Sequence, residues 1–221
     1  MSAKFSPSIV RDGLAFHVDA ANSNSVVSNE WIDLISGGTV TKTGTPSLTT
    51  LGGATTWRFT ATNQFFENSF AKVTPYKELT IEAWIYPETD VSSGDRGTIV
   101  KIHGQGAYMS YNKSTNKLSS YWYGTNPEGY HEFGSAMTRN SSWYHLCSVW
   151  AHNNLYQYQN MTVTSGSVGG ENYLTGTNVE IGMESTDRQF AGGIAVVRIY
   201  NRALAQNEVQ QNFNAERKRF Q

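Results

Sequence analysis

Phe190-Ala-Gly-Gly-Ile-Ala-Val-Val-Arg-Ile-Tyr-Asn-Arg-Ala-Leu204 decides the fold class. Gly192-Gly193 breaks the backbone, and Ile194 to Tyr200 then reads as a strand rich in β-branched residues. Ala195, Val197 and Ile199 alternate with Ile194, Val196 and Tyr200, and Arg198 alone interrupts. Apolar residues on both faces mean a strand covered on both sides. The period then changes. Leu204, Val209 and Phe213 form one stripe of a short helix rich in Gln, Asn, Glu and Ala, and Arg217, Lys218 and Arg219 fall in its predicted last turn, where positive charge suits the helix dipole. A buried strand closes a β-domain, and a short helix ends the chain.

Working outward, Leu79-Thr-Ile-Glu-Ala-Trp-Ile-Tyr86 alternates strictly, with Leu79, Ile81, Ala83 and Ile85 opposite Thr80, Glu82, Trp84 and Tyr86. Pro87, which has no amide to donate, ends it. Gly13 to Ala20, Trp57 to Phe59, Thr98 to Ile102, Trp143 to Trp150, Leu155 to Tyr158 and Val179 to Gly182 read as further strands. Ala107–Tyr111 and Lys117–Tyr123 flank a five-residue loop, the signature of a hairpin. Strands at this spacing, with no repeat and no linker, predict one all-β antiparallel sandwich. The expected layout is an arm over 1–8, the β-domain over 9–204, and a helix with a basic tail over 205–221.

Composition narrows the classes. Charged residues make up 16% of the 221, and the formal net charge is −1. Nothing draws such a chain to nucleic acid or to an anionic membrane. The single Cys147 cannot form an intramolecular disulfide and sits in a strand pattern, so it reads as a small core residue. Met1 to Pro7 lacks the apolar run of a signal peptide, and no segment approaches the ~20 apolar residues of a membrane span.

Taken together, Leu79–Pro87, Ile99–Lys101, Trp143–Leu146, Val179–Gly182 and Phe190–Leu204 resemble, in this order, the concanavalin A-like lectin/glucanase superfamily. The chain looks most like its laminin-G-like jelly-roll branch over roughly residues 9–215. Gly13–Asn22, Trp31–Leu34, and the tail from Asn201 to Ala215 are similar to the version found in virion proteins of tailed bacteriophages, marine (cyanophage-like) ones especially. The resemblance implies two antiparallel sheets packed face to face, with the C-terminal strand beside the N-terminal one. It also implies a virion structural component (capsid decoration, fibre or tail), made in the host cytoplasm, with other virion proteins and copies of itself as partners. Two places depart from the family: Gln159-Asn160-Met161 stands where an Asn-Gly hairpin is usual, and the loop Gly182–Arg188 is short.

No site for catalysis is expected. Glucanases of the superfamily place carboxylates at alternate positions of one strand, and retaining hydrolysis needs two of them about 5–5.5 Å apart. Here Asp19, Glu30, Asp33, Glu67, Glu82, Glu128 and Glu132 are scattered. Glu82 and Arg198, each mid-strand among apolar neighbours, are expected to form a buried ion pair that sets register. His17, His103, His131, His145 and His152 have no metal-ligand spacing. Calcium, which the superfamily often binds through loop acids, would have to use Glu184 with Asp187, or Asp90 with Asp95. Neither pair makes the cage of six to eight oxygens that calcium takes, and no cofactor is expected.

The aromatics carry the binding expectation. Tyr108, Tyr111, Tyr121, Trp122, Tyr123 and Tyr130, with Asn126, Glu128 and His131, gather flat rings beside amides and acids. Sugars dock C–H faces on such rings and pair their hydroxyls with neighbouring polar groups. Alternate members, Trp122 and Trp84 among them, would instead fill the core. Three function classes follow: a virion structural protein, a glycan-binding lectin module, and, disfavoured by the acids, a glycoside hydrolase.

Overall fold

The computed structural model describes residues 8–68, 78–102, 106–125, 129–169 and 178–221. Within them the chain forms β1 (Leu14–Asp19), β2 (Val26–Val27), β3 (Glu30–Ile32), β4 (Thr39–Thr43), β5 (Ser47–Leu51), β6 (Ala54–Phe59), β7 (Phe65–Asn68) and β8 (Glu78–Pro87). It continues through β9 (Arg96–Ile102), β10 (Ala107–Asn112), β11 (Leu118–Trp122), β12 (Tyr144–Ala151), β13 (Asn154–Gln159), β14 (Thr162–Ser167), β15 (Val179–Ile181) and β16 (Gly192–Tyr200). Helix α1 (Gln206–Glu216) and a 3-10 turn at Arg217–Arg219 follow. The strands make two antiparallel sheets: β14-β13-β12-β8-β16-β6-β5 with β1 beside β16, and β11-β10-β9-β15-β7-β4-β3-β2.

The inner faces share one core. Leu79, Ile81, Ala83 and Ile85 enter it from β8, as their alternation predicts, and meet Trp31, Trp57, Phe66, Trp122 and Trp150. Each Leu, Ile or Phe side chain among them contributes about 1.5–3 kcal/mol when fully buried. β16 lies at the centre of the first sheet, between β8 on one side and β6 and β1 on the other. The C-terminal strand therefore runs beside the N-terminal one, as the resemblance implies.

Two details of the closing strand differ from the sequence reading. Gly192 and Gly193 do not precede the strand but open it, paired with β6 and β8. Gly192 has φ 127°, and a Cβ there would lie 2.1 Å from the Tyr86 carbonyl oxygen, so only glycine fits. A bulge between Ile194 and Val196 shifts the alternation. Ile194 joins Val197 and Ile199 in the central core, while Ala195 and Val196 both turn to the outer face.

That outer face is where α1 docks. Val209 and Phe213 are buried with Leu204, the predicted stripe. Phe213 and Phe220 stack on Trp84, with centroids 5.6 and 4.2 Å away. Cys147 is buried beneath this layer, where burial pushes its thiol pKa well up. Arg217–Arg219 form a separate turn rather than the last turn of α1, and Arg219 reaches back to Asp19. Strands β4, β5 and β14 escaped the sequence reading because their Thr/Ser-rich runs lack apolar alternation, and β2 because two residues are too few to show any. No helix among the described residues is long and apolar enough to cross a membrane.

Candidate functional site

The outer face of the second sheet is largely covered, with Thr98, Ser110 and Ser119 fully buried, and alternation along β9, β10 and β11 decides what stands on it. Ala107, Met109 and Tyr111 point into the core, which leaves Tyr108, Ser110 and Asn112 outside. Across the ladder Tyr108 faces Tyr121, and their rings lie 5.3 Å apart. Tyr130, from the loop after β11, completes a trio at 5.2 Å from Tyr121 and 6.3 Å from Tyr108. The three rings are half-buried and inclined to one another by 38° to 63°. They make a compact cluster of touching, mutually tilted rings (the tyrosine cup below), not a flat shelf.

Polar groups border the cup. The Tyr130 hydroxyl donates to Glu184 Oε2 at 3.2 Å, and Thr98 Oγ1 approaches the same oxygen at 3.4 Å. Arg188 Nη1 donates to both Glu184 oxygens, at 3.2 and 3.1 Å. Lys101 Nζ donates to the Glu184 carbonyl at 3.3 Å and lies 3.8 Å from Glu180. The Arg96 guanidinium lies 4.0 Å from the centre of the Tyr130 ring, within cation–π range. Burial, then the charge of Glu184, pushes the Tyr130 and Tyr108 phenols above their ordinary range.

The structure divides the residues that the sequence singled out. Tyr108, Tyr121 and Tyr130 come together. Trp122 does not join them: it is fully buried, edge-on to Trp150 at 5.7 Å, because its strand position faces the core. Tyr111 is likewise a core ring, its hydroxyl tied to Asn116 and Arg139. Tyr123 is exposed beyond the end of β11, where its amide donates to the Gly106 carbonyl. His131 extends the sheet through its backbone, exchanging two hydrogen bonds with Ser120, and its ring lies 6.0 Å from Phe133. Asn126 and Glu128 lie outside the described residues.

Sequence reasoning missed Arg96, Thr98 and Lys101 as neighbours of the rings. The alternation of β9 was the available signal, but a bulge opposite Met109 and Ser110 obscures it. The acids considered for calcium are otherwise engaged. Glu184 binds Arg188 and Tyr130, Asp187 accepts from Ser185, Asp90 pairs with Arg139, and Asp95 pairs with Arg96 and Arg188.

A separate group, His17, Asp19 and Glu216, has ligand atoms within 4.8 Å of one another. Arg219 already binds both Asp19 oxygens at 2.8 Å, and Arg198 binds Glu216. Burial and the adjacent guanidiniums of Arg198, Arg219 and Arg11 hold the His17 pKa well below its ordinary value. These ion pairs fasten the C-terminal turn to β1, and their positive charge opposes a further cation.

Comparison with known proteins agrees with the two-sheet fold. No curated protein matches the chain in sequence. Among solved structures, domain 4 of AbnA, an extracellular GH43 arabinanase from Geobacillus stearothermophilus in complex with arabinotriose, superposes with TM-score 0.67 at 18% identity, over 91% of this chain and 98% of that one. The Trypanosoma rangeli sialidase in complex with the inhibitor DANA gives 0.64 at 14% identity, over 96% of this chain and 34% of the sialidase. The ligand binding domain of botulinum neurotoxin serotype D, in complex with N-acetylneuraminic acid, gives 0.69 at 13% identity, over 94% and 51%. This chain thus spans about a third of the sialidase and about half of the toxin domain. At such identities the likeness shows the fold. The family model for Concanavalin A-like lectin/glucanases matches residues 60–210, more than half of the chain. With its two-sheet jelly roll, the chain belongs to the concanavalin A-like lectin/glucanases superfamily.

Proposed function

We propose that the chain is a non-catalytic carbohydrate-binding module that grips sugar on the outer face of the second sheet. The observation that carries this reading is the Tyr108–Tyr121–Tyr130 cluster with Glu184 at its border. Rings supply apolar faces for sugar C–H groups, and the phenol hydroxyls with Glu184 supply donors and an acceptor for sugar hydroxyls. Arabinotriose bound to the AbnA domain and N-acetylneuraminic acid bound to the neurotoxin domain are sugars held by proteins of this architecture, which supports the reading.

Glu67 and Glu180 are paired across β7 and β15 and lie on the same face, which makes them the acids a hydrolytic reading would use. Asn178 donates to Glu67 and Lys101 lies beside Glu180, so both acids have structural partners. The test is a glycan array with the full chain, followed by incubation of every bound glycan with the protein. Retention without cleavage is expected. Release of reducing ends, lost in Glu180→Gln, would replace the binding reading with a hydrolytic one.

A second reading rests on the ends of the chain. Their similarity to virion proteins of tailed phages supports a decoration, fibre or tail component that assembles with copies of itself and with other virion proteins. Weak sugar contacts would then gain avidity from many copies. Light scattering on the full chain and on a chain lacking residues 1–8 tests it. A defined oligomer that dissociates on truncation supports assembly, and a monomer in both cases rejects this arm as the assembly element.

A further inference from the structure

Resting on the carbohydrate reading, we infer that the tyrosine cup selects uncharged sugars, one or two rings at a time, and rejects sugars that carry a carboxylate.

The charge pattern of the face carries the first half. A carboxylated sugar needs a cation with donors to spare, most often a guanidinium offering two parallel N–H groups. Among the described residues, three cations border the rings, and each is committed elsewhere. Arg188 donates to both oxygens of Glu184. Arg96 donates through Nε to Ser119, lies 3.6 Å from Glu132, and covers one face of Tyr130. Lys101 lies between the Glu184 carbonyl and the Glu180 carboxylate.

Glu67, opposite Glu180 in the ladder, adds a further negative charge to the same face. Glu184 stands nearest the rings and, after burial, raises the phenol pKa values of Tyr108 and Tyr130, while Arg188 acts in the opposite direction. An incoming carboxylate meets repulsion and loses its water without a partner. A sugar hydroxyl needs no cation, because the phenol hydroxyls of Tyr108 and Tyr121 can donate or accept and the Glu184 carboxylate accepts.

Ring geometry carries the second half. A flat polysaccharide surface needs coplanar rings in a row, whereas these rings are inclined by 38° to 63° within 6.3 Å of one another. Rings packed this closely touch one another and form one small patch, which covers one sugar ring and reaches a second but offers no row for a longer chain.

Calorimetric titration of the full chain tests this, with uncharged arabino-, gluco- and galacto-oligosaccharides against their uronate and sialylated counterparts. Uncharged members should bind at least ten-fold more tightly than carboxylated ones, with Kd nearly unchanged between about 50 and about 500 mM salt, since no ion pair forms. Tyr121→Ala should abolish binding, with its melting temperature measured to confirm folding. Glu184→Gln, which keeps the shape and removes the charge, should narrow the discrimination.

Carboxylated sugars binding equally or better, with the effect lost in Tyr121→Ala, would overturn the selectivity and leave the carbohydrate reading standing. Failure of every glycan to bind, or binding indifferent to both substitutions, would overturn the reading of this face and the selectivity with it.

Discussion

Arg198 of β16 stands opposite Glu82 of β8 in the ladder, with Nη1 3.2 Å from Oε1 and both side chains fully buried. The pair is the hub of a larger network. His145 Nε2 lies 2.8 Å from Glu82 Oε1, Asn212 donates to Oε2 at 2.7 Å, and Arg198 also binds Glu216 of α1. Asn212 accepts from the Val10 amide and donates to Tyr200, whose hydroxyl donates to the Val10 carbonyl. One polar cluster thus joins the central strands, the terminal helix and the N-terminal entry to the sandwich.

Glu82→Gln leaves Arg198 with only half of its counter-charge in a dry interior. Breaking a buried pair in this way costs about 3 kcal/mol. Urea denaturation should show that loss, while sugar affinity at the opposite sheet stays unchanged. A fall in affinity at constant stability would refute the structural role.

Acid should unfold the protein in two stages. The His17 pKa is lowered from 6.5 by burial, then by Arg198, Arg219 and Arg11, with Asp19 and Glu216 also beside the ring. The unfolded chain binds the proton first, so His17 favours the native state above about pH 6.5 and loses that contribution as pH falls. For Glu82, burial raises the pKa, but Arg198, His145 and Asn212 together hold it below 4.5. Its contribution is present above that value and disappears as pH drops through the folded pKa. Stability should therefore decline below about pH 6.5 by up to about 1.4 kcal/mol per pH unit, then fall again below about pH 4.5. In His17→Gln the first decline should vanish. An unchanged slope between about pH 6.5 and 5 in that variant would assign the decline to another group.

The sandwich, its closing strand and the Glu82–Arg198 pair were legible because period-two alternation and isolated charges are local signals. Partners of the pair were not. His145 reads as one more polar residue of an aromatic strand, and Asn212 and Glu216 read as solvent-facing positions of a polar helix. Only docking over Trp84 buries them. The binding face was half legible. Tyr108 and Tyr121 follow from the hairpin register, but Trp122 shares the same aromatic run and points the other way. Glu184 and Arg188 reach the rings from a loop far along the chain, and spacing carries no trace of that approach.

Phe220 should act as a lock for the chain end. Its ring stacks on Trp84 at 4.2 Å and lies 4.9 Å from Trp143, while the neighbouring Arg219 holds Asp19. Phe220→Ala should cost about 3 kcal/mol, the low end for a buried phenylalanine, because a terminal turn can partly collapse into the space. Hydrogen exchange should quicken along α1 and β1, which the turn clamps, and stay unchanged in β10 and β11. Equal acceleration in both sheets would mean global destabilisation without a local lock.

The turn between β13 and β14 makes a last test, because sequence and geometry pull it in opposite directions. Asn160 and Met161 have φ 47° and 71°, the left-handed pair that a tight hairpin demands and that Asn-Gly usually fills. A methionine there strains the backbone by about 1 kcal/mol. Its side chain packs against both apolar clusters on the outer face of the first sheet, beside Cys147 and Trp84. Met161→Gly removes strain and packing together, so its stability should lie within about 1 kcal/mol of the parent. Met161→Ala removes packing and keeps the strain, and should cost about 2 kcal/mol. Thermal melts of the two variants decide the matter. Alanine matching or exceeding glycine would mean that backbone strain at this turn contributes nothing and that packing alone governs the position.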